Sequence, residues 1–484
     1  MTQVAPTPPP PSADAPAVRM RDGGAAAGTT VRLNPFQLLM RRWAGLHPYN
    51  AGQVMEVSGA ADRDRWKAAI EGVLREMGLG VPRFSEREWV VHFVAPPRAG
   101  GEAALEQSSE CLSGFFNEEL NRPFAAGDIP IRFCTLPGAA AEGAAGNEGT
   151  HYLAAVYDHW IADSRGMREL MQRIFERYQH PDRAPRLAPL TLHAPAFRPL
   201  FRQHGGKRTR LAAMRESLRN VWRQRHGFRV NIADPLDFNS RLRIAQLPAG
   251  VIGSVYRFAK ANGGSVNDVF LAALGQTMGA YTSHERMTRR RKFFHFRRQQ
   301  IGLGTIVDIR EAAAESLDQV FNLYLSSYVV MLSGAEKRGA AELTREIAGH
   351  TAAVKKSFGA VRGFWALAMA RFWWDLYGSP RYRSQLLHKT VPVVAGISNV
   401  NMTGSWVAPP ADAVDASEGD PGVPRVLDYI RISPTGPLLP LVFTLTTIRD
   451  RLTLCMTYRT TSFTDEQARE LGEDFSRRLC SLGV

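Results

Sequence analysis

Apolar residues recur along this chain in two rhythms, near 3.6 residues and near two, and the rhythms alternate. The segment ADRDRWKAAIEGVLREMG sets Trp66, Ala69, Ile70, Val73, Leu74 and Met77 at helical spacing behind Asp62, an N-cap. Strands are predicted before it, at Gln53–Val57, and after it, in EWVVHFVAP. CLSGFFNEELNRPF reads as a helix that ends before Pro123, and IPIRFCTLPG as a strand. In HYLAAVYDH the alternation places Leu153, Ala155 and Tyr157 on one side of a strand that delivers His159 to its end. Residues 31–180 therefore predict a mixed α/β lobe.

A second lobe is predicted over residues 247–484. It begins with a helix in GGSVNDVFLAALGQTMGAY, capped by Ser265 with Asp268 three residues on in the manner of a capping box. IGLGTIVDIRE is a strand ending at Arg310, Ala340–Phe358 a helix, and VPVVAGISNV a strand. LPLVFTLTTIRD and RLTLCMTYRTT form a hairpin, and TDEQARELGEDFSRRLCSL a closing helix. Residues 181–246 turn to Pro, Arg and His and read as a basic linker or crossover with one helix around Arg210–Arg225. Residues 1–30 are Pro/Ala-rich and expected to be a disordered tail, and GAAAEGAAGNEG a flexible connection. The fold class is α/β, or α+β, in two lobes.

Composition narrows the setting. A length of 484 residues suits two ordinary domains, and 44% hydrophobic residues support sizeable cores. Cys111, Cys134, Cys455 and Cys480 form neither a zinc spacing nor a disulfide framework, which favours a reducing compartment. The start lacks a signal-peptide pattern and no run spans a bilayer, so a cytoplasmic protein is expected, a monomer, with peripheral contact at the inner membrane face as an option. The net charge of +14 and pI near 9.9 speak to partners: phosphate-bearing cofactors, an acidic carrier protein or an anionic membrane. TRRRKFFHFRR (Thr288–Arg298) is open to three readings: a solvated loop, a phosphate or carrier-protein site, or a basic and aromatic membrane contact. Nucleic acid is disfavoured, because no recognised module accompanies the charge. Trp365, Phe372, Trp373 and Trp374 read as core or cavity wall ahead of a membrane anchor.

The candidate chemistry centres on His159. A neutral imidazole at a strand end, with Asp163 four residues on and a turn at Gly166, is a way to build a general base. Asp163 reads as structural support. Arg310 pairs either with Asp163 or with Asp308, two residues before it. Ser398 and Asn399 offer groups for a developing oxyanion or else mark a polar turn, and Asn267 and Asp268 either cap their helix or line a substrate passage.

Taken in order, LNPFQLLMRRW with HPYN, LNRPF, DHWIADSRG, SVNDVFLAAL, VDIR and GISNV resemble the H-x-x-x-D acyltransferase superfamily, from about Leu33 to the C-terminus. That group includes condensation domains, polyketide-associated acyltransferases and wax ester/diacylglycerol acyltransferases. The resemblance implies two chloramphenicol-acetyltransferase-like lobes around a tunnel, with His159 as base, Asp163 held by an arginine such as Arg310, and Gly166 supporting the turn. Asn267, Asp268, Ser398 and Asn399 would line the substrate passage. It implies no bound cofactor; acyl-CoA or a phosphopantetheine-linked thioester on an acyl carrier protein is the co-substrate and an alcohol the acceptor. Two alternatives keep the fold: amide formation by a free-standing condensation enzyme, and a silent module that binds a carrier protein or lipid. The chain departs from the pattern at Asp158, where the family has a first histidine, and at Ser164 and Arg165, which separate Asp163 from Gly166. Asp158 either raises the pKa of the imidazole or faces away from it.

Overall fold

The computed structural model describes residues 29–84, 90–93, 105–107, 111–138, 149–192, 227–290, 298–356, 374–384, 392–407 and 423–483, apart from 126, 377–378 and 438, together with isolated positions between 211 and 224. The expected tail, the GAAAEGAAGNEG connection, most of the basic helix, the core of TRRRKFFHFRR, and Trp365, Phe372 and Trp373 lie outside the described residues.

The chain begins with β1 (Thr29–Arg32), α1 (Pro35–Ala44), β2 (Asn50–Ser58) and α2 (Arg63–Met77). Three short strands follow, β3 (Pro82–Phe84), β4 (Val90–Phe93) and β5 (Leu105–Gln107), then α3 (Leu112–Glu119). Next come β6 (Ile131–Pro137), β7 (Thr150–Asp158), α4 (Ser164–Gln179), β8 (Ser240–Gln246), α5 (Val251–Ala261) and α6 (Val266–Arg290). β9 (Gln300–Asp308), β10 (Leu325–Ser333), α7 (Ala340–Lys356) and β11 (Ala395–Asn401) precede β12 (Val426–Ile432). The hairpin β13 (Leu441–Ile448) and β14 (Arg451–Arg459) leads to α8 (Asp465–Cys480).

Two large sheets organise these elements. One has the order β12-β2-β7-β6-β5, the other β10-β9-β11-β13-β14-β8, and β1-β4-β3 form a small third. Each large sheet is covered by helices on one face. The first core joins α1, α2 and α4 to β2 and β7, and the second joins α5, α6 and α8 to β9, β11, β13 and β14. A third cluster lies between the sheets, where Val54, Phe116, Ala154 and Val156 meet Leu242, Ile430, Ile432 and Cys455. Chain order does not respect the lobes. β8, inside the stretch read as linker, pairs with β14, while β12, far into the second half, pairs with β2.

Local chemistry explains the elements. In α2 the Asp62 side chain accepts from Arg65 N, Gly78 closes the helix at φ 68°, and the six residues expected at helical spacing are the ones buried. β7 is buried along both faces, Leu153, Ala155 and Tyr157 in the first core and Ala154 and Val156 in the third, as a central strand must be. The β13–β14 hairpin turns on Arg449 and Asp450, with Ile448 opposite Arg451 and Arg449 at φ 54°. β9 stops at Asp308, two residues short of the expected end, and Arg310 opens a 3₁₀ turn instead.

β11 enters its sheet beside Gly302, where an added Cβ would clash with the Pro392 carbonyl oxygen. A backbone atom cannot rotate away. Gly302→Ala is expected to lower the unfolding free energy by about 1–3 kcal/mol in a denaturant titration; an unchanged midpoint would contradict this packing.

Candidate active site

The site is built where β7 runs out. His159 follows β7 directly, and its N–H donates to the Tyr49 carbonyl 3.0 Å away at the start of β2. Its ring stacks on Tyr49 with centroids 5.7 Å apart and meets Tyr157 edge to face at 5.8 Å. Nδ1 lies 3.1 Å from the Ala162 carbonyl oxygen. A carbonyl only accepts, so Nδ1 carries the proton and Nε2 keeps its lone pair. The residue is half-buried, and burial lowers its pKa below the usual 6.5. The result is a neutral imidazole with one nitrogen committed and the other without a hydrogen-bond partner among the described residues.

Asp163 does not touch the ring. It is the N-cap of α4, accepting from Gly166 N at 2.9 Å. Arg310 grips it with two donors, Nη1 to Oδ2 at 2.7 Å and Nη2 to Oδ1 at 3.0 Å, and Tyr324 N adds a third contact at 2.8 Å. Asp163 is 0% and Arg310 5% exposed. Burial alone would raise the carboxyl pKa, but the Arg310 charge and these donors outweigh it and hold Asp163 below the ordinary carboxylate range. Asp308 is the weaker partner of Arg310, at 3.4 Å and partly exposed. Gly166 is not a turn: it sits in the first turn of α4, where a Cβ would come within 3.4 Å of the Asn322 carbonyl.

The neighbouring motifs converge from below. Asn50 donates to the carbonyls of Glu119 and Arg122 at 2.8 and 2.7 Å, and His47 Nε2 lies 3.1 Å from Asn121 Oδ1. HPYN and LNRPF thus clamp the end of α3 to the start of β2 and set the Tyr49 ring under His159.

Ser398 reaches the same region through an arginine that the sequence did not single out. Arg431 of β12 donates from Nη2 to Ser398 Oγ at 2.9 Å and from Nε to Ser164 Oγ at 2.7 Å. Gln53 donates to the carbonyl oxygen of Ser164 at 2.9 Å and accepts from the Tyr429 hydroxyl. Along β11, Ile397 belongs to the second core, and Asn399 shares its face, opposite to that of Ser398. Asn267 is 3.4 Å from Thr305 Oγ1 on β9, the strand residue paired with Ile397. Asp268 caps α6 by accepting from Ser265 N and Oγ, both at 2.7 Å, and accepts from Thr351 Oγ1 at 2.8 Å. These contacts group Ser398 with the Asp163 end of α4 and leave Asn267, Asp268 and Asn399 on the helix-covered side of the second sheet.

Asp158 faces away from the imidazole. It bonds with Trp160, burial pushes its pKa up to about 7, and its buried Oδ1 has no hydrogen-bond partner among the described residues. The carboxylate acting on His159 is Asp163.

No protein-family model and no curated protein matches the sequence. Solved structures do match in fold. A trichothecene 15-O-acetyltransferase from Fusarium sporotrichioides superposes with TM-score 0.68 at 10% identity, over 95% of this chain and 96% of that one. The first condensation domain of the CDA synthetase gives TM-score 0.59 at 15% identity, over 95% and 97%. Polyketide synthase associated protein 5 from Mycobacterium tuberculosis gives 0.59 at 13%, over 94% and 99%. The chain therefore has the two-lobed, chloramphenicol-acetyltransferase-like fold of condensation domains and their relatives, along its whole described length. Among the described residues no helix is long and apolar enough to cross a membrane.

Two stability predictions follow from the charges. Asp163→Asn leaves Arg310 buried without a counter-charge and is expected to cost about 3–5 kcal/mol at neutral pH. Because the folded pKa of Asp163 is depressed, its contribution is present above the unfolded value of about 3.9 and is lost as pH falls through the folded one, so the gap between variant and native chain narrows in acid. Asp158 has the opposite sign. Its folded pKa is raised, so stability is lost as pH climbs from about 4 toward 7, and Asp158→Asn is expected to gain on the native chain over that window. Thermal unfolding across pH reads both; parallel curves would contradict the assignments.

Proposed function

We propose that the chain is an acyltransferase that moves an acyl group from an acyl thioester, on coenzyme A or an acyl carrier protein, to an alcohol, forming an ester. The observation that carries this reading is the His159 ring: Nδ1 is committed to the Ala162 carbonyl, and Nε2 is left as a base on a side chain that keeps some exposure. The acceptor hydroxyl gives its proton to Nε2 as its oxygen attacks the thioester carbonyl. The tetrahedral intermediate collapses, the C–S bond breaks, and the leaving thiolate takes the proton back from Nε2. Nδ1–H stays on Ala162 throughout and steadies the transient imidazolium. Asp163 and Arg310 act by fixing the His159–Asp163 loop.

Ser398 has a role in this reading. Its oxygen accepts from Arg431, so its own O–H is free to donate to the oxyanion of the intermediate. The O-acetyltransferase among the fold relatives favours an alcohol acceptor, and the condensation domains motivate amide formation as the second reading.

The test is release of free thiol from acyl-CoA or acylated carrier protein in the presence of alcohols or amines, with the product mass read for each. An ester product supports the first reading, and an amide alone replaces it with the second. His159→Ala is expected to lose about 10²–10⁴-fold in turnover while keeping its unfolding midpoint; full turnover would remove His159 as the base. The kcat/KM profile is expected to fall in acid with a midpoint below 6.5, since His159 must be neutral to accept a proton.

A further inference from the structure

The buried arginines of this chain are mostly matched by carboxylates: Arg310 by Asp163, Arg132 by Glu119, Arg173 by Glu169 and Arg286 by Glu336. Arg459 is matched by the carbonyls of Asp234 and Asp237 and the Thr461 hydroxyl, and Arg431 and the half-buried Arg168 by no carboxylate among the described residues. Arg431 is 3% exposed, and its acceptors are the hydroxyls of Ser164 and Ser398 and the Leu445 carbonyl at a long 3.4 Å. Arg168 lies one turn beyond Ser164 on the same face of α4, half-buried, and among the described residues its hydrogen-bond acceptor is Met402 Sδ at 3.6 Å. Among the described residues neither guanidinium has a carboxylate within ion-pair distance. The carboxylates that act on Arg168 are already engaged, Asp163 with Arg310 and Glu169 with Arg173. Arg431 is surrounded by groups neutral at pH 7, namely Tyr157, Tyr429 and Cys455, and by the like charge of Arg168.

Two cations taken out of water beside each other are expensive unless an anion joins them. Arginine is suited to that anion, because its planar fork meets carboxylate or phosphate oxygens in pairs. The place is also specific. Ser164 follows the Asp163 cap, Ser398 lies on β11 and Met402 just past its end in the first core, and the Arg431 charge acts on His159. Burial and the like charge of Arg168 lower the pKa of Arg431, while the Arg431 charge favours the neutral imidazole at His159, so an anion held by the two arginines relieves a repulsion felt in this region. We propose that Arg431 and Arg168 form an oxyanion subsite that holds a carboxylate or phosphate group of a substrate, so that the molecule brought to His159 is anionic. The inference rests on the acyl-transfer reading for its biological use but not for the binding itself.

The full chain is titrated calorimetrically with succinate and with inorganic phosphate at constant ionic strength, using chloride as the balancing salt. Wild type and His159→Ala are both expected to bind one of the two anions saturably, succinate identifying a carboxylate and phosphate a phosphoryl group. Arg168→Gln and Arg431→Gln are expected to weaken that binding about tenfold or more, and Arg431→Lys to recover part of it. Arg168 is the less buried of the pair, so Arg168→Gln keeps the test open if Arg431→Gln fails to fold. The inference is overturned if neither anion binds above chloride, or if Arg168→Gln binds as tightly as wild type. Anion binding without thioester turnover would sink the acyl-transfer reading alone, and turnover without anion binding would sink the subsite alone.

Discussion

Asp163 and Arg310 come from different sheets, one just after β7 and the other just after β9, and they meet with two hydrogen bonds at essentially no solvent exposure. Burying a charge pair is costly, and it is tolerated only where every lone pair and proton is satisfied. Here that condition is met: Asp163 also accepts from Gly166 N and Tyr324 N, and Arg310 also donates to the Asn322 carbonyl at 3.2 Å. The pair works through position. With the aspartate fixed at the start of α4 and His159 N fixed on Tyr49, the residues between them have little freedom, and the Ala162 carbonyl is presented to Nδ1. The tautomer of the imidazole is decided by a loop whose far end is held in the other sheet.

The rest of the region follows from that clamp. α4 starts at Ser164 because Asp163 caps it, and Ser164 then meets Arg431, which carries the connection to Ser398 on β11. β12 is what makes this possible. It leaves the second lobe to pair with β2, and so sets an arginine between the sheets next to the residues that flank His159. One lobe alone would hold His159 and Asp163 but neither Arg310 nor Ser398. The likeness in fold to acetyltransferase and condensation structures, at 10–15% identity, fits an architecture kept by such packing constraints while the residues around them change.

Much of this was legible in the sequence wherever a pattern is local. The six apolar positions of α2, the Ser265–Asp268 box and the two-residue hairpin are periodicities and caps contained within a few residues. The clustering of His159, Asp163 and Arg310 was legible as an ordered set of motifs, although the two partners of Arg310 had to be separated by geometry: Asp308 is near in sequence, yet it sits exposed and farther away. What sequence could not give was pairing across the lobes. YIRISP carries no turn or helix signal that assigns its strand to the first sheet, so Arg431 passed unnoticed, and β8 was hidden in a segment whose Pro and Arg content suggested a linker. Gly166 looked like a turn because glycine often makes one, whereas here it lies in the first turn of α4 and its N–H donates to Asp163.

The protonation state of His159 is the central point, and nitrogen-15 NMR of imidazole-labelled protein observes it directly. The His159 signals are expected to report a neutral ring at pH 7 with hydrogen on Nδ1 and a bare Nε2, titrating below 6.5. A ring carrying its hydrogen on Nε2, or one still doubly protonated at neutral pH, would contradict it.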